Sequence, residues 1–146
     1  MTLVWSAPNG FAIAGWRRVL IAGAAAWLAP AVFGLLVLGV LRLLGLERLG
    51  DTGLILWALG VLFVLSPVLS WMGPVAAAPL VAVLMDRGWF GWLPAIALGM
   101  AVGAAIGLLM GNDLGVTFGA AMLGIFRAVL GRLAPDAFAG DAGPSG

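Results

Sequence analysis

The chain consists of long apolar stretches separated by short segments that carry most of its charged residues. At a rise of 1.5 Å per residue, an apolar helix of about 20 residues matches the roughly 30 Å hydrocarbon core of a bilayer. The pattern therefore predicts an all-α fold, a polytopic membrane helical bundle of about four transmembrane helices in a single domain. The predicted spans are residues 19–41, 53–71, 93–110 and 114–133.

The uncharged stretch from Gly53 to Met85 does not fit a single span. As a helix it would be about 50 Å long, which is too long for one upright span and too short for two spans with a turn. Gly73-Pro74 is its strongest turn signal. We therefore predict a proline-broken half-helix from Pro74 to Leu84 after the second span. Re-entrant, interfacial and kinked-extension placements of this half-helix all remain open.

Prolines also interrupt two of the predicted spans, at Pro30 and Pro67. A proline inside a helix removes one backbone N–H and so leaves a carbonyl oxygen without its usual donor. Ser66 and Ser70 lie beside Pro67, and a serine hydroxyl can donate to the carbonyl one turn back. We expect these two hydroxyls to satisfy the backbone groups that Pro67 frees.

The two ends of the chain differ from the apolar middle. Residues 1–18 are predicted to be a cytoplasmic N-terminal segment. Arg17 and Arg18 precede an apolar run to Leu41 that is too long for the apolar region of a signal peptide, so we interpret the first span as an uncleaved signal-anchor. Residues 134–146 are rich in Pro, Gly, Ala and Asp, and this composition predicts a disordered cytoplasmic tail.

The arginines predict the orientation of the bundle, because basic residues are in excess in cytoplasmic loops. With four spans and a cytoplasmic N-terminus, only Arg42 and Arg48 lie outside, so most arginines are cytoplasmic. A fifth span through the half-helix would instead place most arginines outside. All basic residues are arginines, and the bias to Ala, Gly and Leu indicates a GC-rich bacterial genome. We therefore predict a multi-pass protein of the bacterial inner (plasma) membrane with both termini cytoplasmic. The cytoplasmic arginines would be Arg17, Arg18, Arg87, Arg127 and Arg132.

Small residues recur at every fourth position along the third predicted span and place a groove on one helix face, where another backbone can approach closely. A weaker stripe, Ala120, Gly124 and Ala128, lies on the fourth span. Because a tight turn at Gly111-Asn112-Asp113 makes the two spans antiparallel neighbours, the stripes either hold this hairpin together or dock another protein or another copy. The first stripe is Gly91, Ala95, Gly99, Gly103, Gly107, Gly111 and Gly115, and the candidate packing or partner-interface residues are Gly99, Gly103, Gly107, Gly111, Gly115 and Gly124.

Arg127 is the one charged residue predicted to lie inside a span. An arginine near the end of a span can extend along the helix and reach the interface, and we favour this snorkelling for Arg127. The alternative is an ionic contact with a lipid headgroup or with a carboxylate of a partner subunit. Trp89, Phe90 and Trp92 follow the half-helix and are predicted to form an interfacial aromatic belt.

The composition is 64% hydrophobic and 9% charged, and it contains no His, Cys, Tyr or Lys. These absences remove the usual general bases, activated nucleophiles and common metal and haem ligands. We therefore expect no catalysis, no metal and no cofactor. The scattered arginines form no basic stripe, so no nucleic acid is expected. Trp27 and Trp57 lie within spans, where simple packing is preferred over binding of a quinone, carotenoid or lipid tail.

Two functional classes remain. The preferred expectation is a non-catalytic accessory or assembly subunit of a larger inner-membrane complex that docks through glycine-lined helix faces. Its partners would be membrane lipids and other integral membrane subunits, and a homo-oligomer is possible. The alternative is a small transporter, channel or transport-system component that acts as a homo-oligomer, with a path near Gly73 to Pro79. It is less favoured because Ser66, Ser70 and Thr117 are the only hydroxyls at membrane depth.

Overall fold

The computed structural model describes residues 3–45, 50–111 and 114–139. The described residues are 83% helical, and no strand occurs among them. Four helices are long and apolar enough to cross a membrane, so the predicted all-α fold with about four spanning helices is confirmed. The helices are α1 (Gly10–Ala14), α2 (Trp16–Leu43), α3 (Asp51–Leu69), α4 (Met72–Asp86), α5 (Trp92–Met110) and α6 (Gly115–Leu133), followed by a 3-10 helix (Pro135–Phe138).

The half-helix α4 is longer than predicted, because it begins at Met72 and ends at Asp86, two residues beyond the prediction at each end. Pro74 falls in its first turn, where the backbone N–H would have no intrahelical partner, so a proline there does not end the helix. Pro79 lies inside the helix. At 15 residues, α4 is shorter than the span of about 20 residues that crosses a bilayer.

The surface of the spanning helices is strongly apolar. Leu43 and Leu108 keep 86% and 85% of their residue surface exposed, and many other large apolar side chains are exposed along the helices. Exposure of such a surface to water would be unfavourable. Exposure to lipid tails is not, because the tails are as apolar as leucine side chains. Together with the four spanning helices, this surface is the architecture of a multi-pass membrane protein.

The described chain divides into two compact units. The terminal unit comprises Met1–Ala26 and Met72–Gly146, and the middle unit comprises Trp27–Trp71. Met85, Phe90 and Leu130 are the largest fully buried side chains of the terminal unit. They belong to an apolar core to which α4, α5 and α6 all contribute.

An N-terminal strap, residues 3–9, ties one end of the terminal unit together through backbone hydrogen bonds. The N–H of Ser6 donates to the carbonyl of Gly88 (2.7 Å), and the N–H of Gly91 donates to the carbonyl of Val4 (3.0 Å). The N–H of Ala7 donates to the carbonyl of Ala137 (3.0 Å). The strap therefore joins the α4–α5 loop to the segment that follows α6.

The prediction that residues 134–146 form a disordered tail is wrong for residues 134–139. Pro135–Phe138 form a 3-10 helix in which Ala137 and Phe138 are buried. Composition alone missed this because the segment has an apolar surface to pack on and a backbone partner in Ala7. Residues 140–146 lie outside the described residues.

In the middle unit, the part of α2 from Trp27 onward packs against α3 at a pair of glycines. A Cβ atom built on Gly34 would lie 2.6 Å from the carbonyl oxygen of Gly60, so the two backbones meet without room for a side chain. The rings of Phe33 and Phe63 meet edge to face beside this crossing, with their centroids 5.5 Å apart. This glycine pair was not among the predicted packing residues.

The hydrogen bonds around Pro67 in α3 differ from the prediction. The indole Nε1–H of Trp27 donates to the carbonyl oxygen of Pro67 at 3.1 Å. The hydroxyls of Ser66 and Ser70 are buried and have no hydrogen-bond partner among the described residues. The expected serine-to-carbonyl bonds are therefore wrong. The indole of Trp27 satisfies a different group, the carbonyl of Pro67 itself, which belongs to the last turn of α3 and has no N–H from a following turn of the helix.

Candidate functional site

The candidate site begins with the contact between α5 and α6. A Cβ atom on Gly99 would overlap the carbonyl oxygen of Gly119, and one on Gly103 would overlap the carbonyl oxygen of Gly115. The residue numbers rise on one helix as they fall on the other, so the helices are antiparallel. Gly107 extends the contact, because its Cα lies 3.0 Å from the position of a Cβ on Gly115. Glycine is required wherever backbones approach this closely.

This arrangement decides between the two interpretations of the first stripe. Gly99, Gly103, Gly107 and Gly115 face the partner helix of their own hairpin, so their surface is not open to another protein. Gly119 also belongs to the contact, although the sequence analysis did not single it out. It continues the four-residue repeat beyond Gly115, and that continuation was the available signal.

Two predicted packing residues take no part in the hairpin contact. Gly111 has φ +64° and follows the last residue of α5, where its N–H caps the carbonyls of Gly107 and Leu108. Glycine is needed at position 111 because the backbone there is left-handed at the end of the helix, and not because another helix packs against it. A Cβ on Gly124 would meet nothing within 4 Å. Asn112 and Asp113 of the predicted turn lie outside the described residues.

Gly124 instead belongs to a small-residue face of α6 that points away from α5. At 100° per residue, positions 117, 121, 124 and 128 fall within about 60° of arc, opposite the arc of Gly115 and Gly119. Thr117 and Ala121 are exposed, and Ala128 is half-buried. We call these four residues the open face of α6: Thr117, Ala121, Gly124 and Ala128.

Arg127 lies on α6 with only 2% of its surface exposed, so the prediction that it snorkels to the interface is wrong. Its guanidinium carbon lies 3.5 Å from the ring centroid of Phe138 and 5.3 Å from that of Trp92. Phe138 comes from the 3-10 helix and Trp92 from the first turn of α5. The side chain is held between aromatic rings because residues 135–138 fold back onto α6.

The two rings stabilise the cation without neutralising it. Contact with a ring face contributes about 2 kcal/mol when the cation is removed from water. A buried charge is stable when it is also paired or hydrogen-bonded, yet the Nε of Arg127 has no acceptor among the described residues. The structure therefore contains a caged cation whose hydrogen-bonding capacity is incompletely used.

The predicted aromatic belt is wrong for Phe90, and for Trp89 it stays a prediction. Trp89 is exposed and meets Trp5 edge to face, with the ring centroids 6.0 Å apart. Phe90 is fully buried and packs edge to face on Phe126 at 5.9 Å, and the Oγ of Ser6 accepts a hydrogen bond from its backbone N–H at 3.2 Å. Phe90 therefore belongs to the protein core, because its backbone is held inward by the strap.

The middle unit contains an open cleft of about 310 Å³ lined by Leu38, Leu41, Arg42 and Trp57. The indole of Trp27 is occupied by its hydrogen bond to Pro67, which fits the packing interpretation of that residue. No group of three or more His, Cys, Asp or Glu side chains with the spacing of a metal site occurs in residues 3–45, 50–111 and 114–139.

Comparisons with known proteins add no further constraint on the site. Comparison of the chain with protein-family models, with curated proteins and with solved structures gave no match in any of the three.

Proposed function

We propose that this protein is a non-catalytic subunit of a larger assembly in the bacterial inner membrane. It docks a transmembrane helix of another integral membrane protein on the open face of α6. The observation that carries this proposal is Gly124, a mid-helix glycine with open space where a Cβ would lie. Because mid-helix glycine costs roughly 0.5–1 kcal/mol relative to alanine, close approach of another backbone gives it a structural purpose.

The open face also differs in chemistry from the surfaces that meet lipid. Lipid-exposed positions of this chain carry large side chains such as Leu35, Leu108 and Leu109. The open face carries four small residues, one on each successive turn of the helix. Membrane helices associate through such small-residue faces because van der Waals contact and backbone proximity replace the hydrophobic drive of water.

The arrangement of the arginines supports a cytoplasmic position for both chain ends. Strap hydrogen bonds bring the N-terminal segment, the α4–α5 loop and the 3-10 helix to one end of the terminal unit. This end also carries Arg17, Arg18, Arg87 and Arg132, all exposed. The positive-inside tendency favours the cytoplasm for such an end.

The proposal is tested by affinity purification of the tagged protein from its native membrane in mild detergent, with mass spectrometry and native gel sizing. The wild type should recover one or more integral membrane proteins in stoichiometric amounts. Gly124→Leu should lose them, because the added side chain fills the space that the partner helix needs. Gly39→Leu is the matched control. Gly39 is also a mid-helix glycine with nothing near its Cβ position, but leucines at 35, 36 and 43 surround it where Gly124 has small residues.

The outcomes of this experiment separate the alternatives. Recovery of the chain alone as a monomer contradicts the proposal. Recovery as a homo-oligomer that Gly124→Leu dissociates assigns the open face to a second copy and removes the accessory role. Equal loss of partners in Gly124→Leu and Gly39→Leu shows that any added bulk is disruptive and contradicts docking at α6.

A second candidate, membrane transport, is favoured by one observation. Ser66 and Ser70 present two buried hydroxyls without partners, one helical turn apart, beside the proline break of α3. Interrupted helices with free polar groups are typical of transporter binding sites. In proteoliposomes with reporters for H⁺, Na⁺ and K⁺, the wild type should give a flux that the Ser66→Ala, Ser70→Ala double variant abolishes. Absence of any flux in the wild type would remove this candidate for those ions.

A further inference from the structure

We propose that the open cleft of the middle unit binds the headgroup of one anionic phospholipid, with Arg42 on its phosphate and Trp57 beside it. This inference concerns a surface that the proposed function does not use, so it does not depend on protein docking at the open face of α6. Three observations support it: the position of the cleft at the ends of two helices, the residues that line it, and an apolar strip that leads from it along α3.

The cleft lies where α2 ends and α3 begins. A Cβ atom on Gly34 would lie 2.7 Å from the backbone nitrogen of Val64, and one on Gly60 would lie 2.7 Å from the Cδ2 of Leu38. The residue numbers rise on α2 as they fall on α3, so the two helices are antiparallel. The cleft continues this contact into the last turn of α2 and the second turn of α3. The lining residues are Leu38, Leu41, Arg42 and Trp57.

Arg42 is accessible in this cleft. It is exposed in the last turn of α2, and it is the only charged residue of the described ranges that lines the cleft. Asp51, the one acidic residue of the middle unit in those ranges, is exposed and does not line the cleft. A phosphate can therefore reach the guanidinium from the open side, and two parallel N–H donors of an arginine match two phosphate oxygens.

Trp57 gives the cleft an apolar wall at the same level. Its surface is 51% exposed although it lies within a spanning helix, so half of the residue is free to contact a ligand. An indole combines an apolar ring with an N–H donor and suits the boundary between headgroups and chains. The cleft volume of about 310 Å³ is at the small end of the roughly 300–1,000 Å³ of small-molecule sites. It therefore accommodates a headgroup and not a whole lipid.

A strip of valines on α3 provides a surface for a chain of the same lipid. At 100° per residue, Val61, Val64 and Val68 fall within about 40° of Trp57. Val61 and Val64 are half-buried and Val68 is exposed. At 1.5 Å per residue, Val68 lies about 17 Å along the helix from Trp57, close to half of the roughly 30 Å hydrocarbon core. An acyl chain that begins at the cleft can therefore follow this strip to the middle of the bilayer.

An anionic phospholipid fits these features better than the other ligands of an arginine. A free anion would use Arg42 and none of the apolar lining or the valine strip. A carboxylate of a partner protein would also pair with Arg42, but the residues next to the cleft, Leu43 and Leu54, are large exposed side chains of the type that lipid covers. A zwitterionic headgroup would bring its own cation toward Arg42, whereas basic residues at the end of a span attract anionic lipids.

The test is native mass spectrometry of the full-length protein, released from detergent after equilibration with equal amounts of phosphatidylglycerol and phosphatidylcholine. On collisional activation, the last lipid to leave the wild type should be one phosphatidylglycerol. Arg42→Gln should lower the retention of this lipid about tenfold, the effect of losing one charge-assisted contact. Arg132→Gln is the matched control, because Arg132 is also an exposed arginine in the last turn of a spanning helix. It should change retention less than twofold.

Trp57→Ala tests the cleft without removing the charge. Because half of Trp57 is exposed, the helices should still form, as circular dichroism and gel filtration would show. Retention of phosphatidylglycerol should fall at least threefold, since the lipid loses the apolar surface of the indole. Trp71→Ala is the matched control, because Trp71 is an exposed tryptophan just after the other end of α3, and it should retain the lipid as the wild type does.

Several results would overturn the proposal. One is a wild type without preference for phosphatidylglycerol, and another is equal retention in Arg42→Gln and Arg132→Gln or in Trp57→Ala and Trp71→Ala. A third is displacement of the lipid by millimolar inorganic phosphate, which would assign the cleft to the free anion. Finally, recovery of a protein partner that Arg42→Gln releases, with no lipid retained, would assign Arg42 to a carboxylate of that partner.

Discussion

The carbonyl oxygen of Gly115 occupies the space that a side chain on Gly103 would need, and the reverse is also true. Backbone contact of this kind fixes the separation of α5 and α6, because neither helix can move closer or accept a larger residue. The hairpin is consequently a tightly packed pair of helices, and α6 carries both the open face and Arg127.

Gly103→Leu should destabilise the hairpin by about 3 kcal/mol or more, because the added side chain meets backbone atoms that have no rotamer with which to move aside. Titration with SDS in mixed micelles, followed by circular dichroism, measures the change in unfolding free energy. Gly124→Leu is the control, since its Cβ position is open, and it should stay within about 0.5 kcal/mol of the wild type. Equal stability of Gly103→Leu and Gly124→Leu would contradict the close contact.

Phe138→Ala should lower stability by about 3 kcal/mol, because it removes a buried ring from the core and the ring face from the Arg127 cation. Asp136→Ala, on the exposed side of the same 3-10 helix, should change stability by less than about 0.5 kcal/mol. The comparison uses the same SDS titration. A Phe138→Ala protein as stable as Asp136→Ala would show that residues 135–138 are not packed on α6.

Trp27→Phe should cost about 1 kcal/mol, because it removes the Nε1–H donor to the Pro67 carbonyl and keeps most of the ring's apolar surface. Trp57→Phe is the matched control, since Trp57 is an exposed tryptophan that lines the open cleft of the same unit. Amide hydrogen exchange of α3 supplies a local readout, in which residues 66–70 should lose protection in Trp27→Phe alone. Unchanged protection in both variants would remove the role assigned to this bond.

Ser6→Ala should leave the buried N–H of Phe90 without an acceptor, at a cost of about 1–3 kcal/mol. The effect should be local, with faster amide hydrogen exchange over residues 88–93, because the strap and the α4–α5 loop hold each other in place. Ser6→Thr keeps the hydroxyl and should preserve most of the protection. If Ser6→Ala exchanged no faster than the wild type, the strap would not be a stable part of the fold.

The helices could be predicted from the sequence because hydrocarbon thickness sets their length and charge sets their ends. The predicted spans differ from α2, α3, α5 and α6 by only a few residues at each end. The four-residue repeat also located the packing face of α5. The repeat wrongly included Gly111 among the packing residues, because the spacing of glycines does not distinguish one that packs from one that ends a helix with positive φ.

Features that depend on distant residues were not predictable in the same way. The cage of Arg127 needs Trp92 and Phe138, and the order of residues 134–139 needs the strap and the core. The composition of a segment gives no information about contacts with residues that are distant in the sequence. The role of Trp27 escaped prediction for the same reason, since its acceptor lies on another helix.

Docking at the open face of α6 is tested most directly by photocrosslinking in the native membrane. A benzophenone side chain at position 121, on the open face, should form an adduct of defined mass with another integral membrane protein. The same group at position 35, an exposed leucine site on α2, should give lipid adducts only. Lipid adducts alone at both positions, or the same protein adduct at both, would contradict docking at the open face of α6.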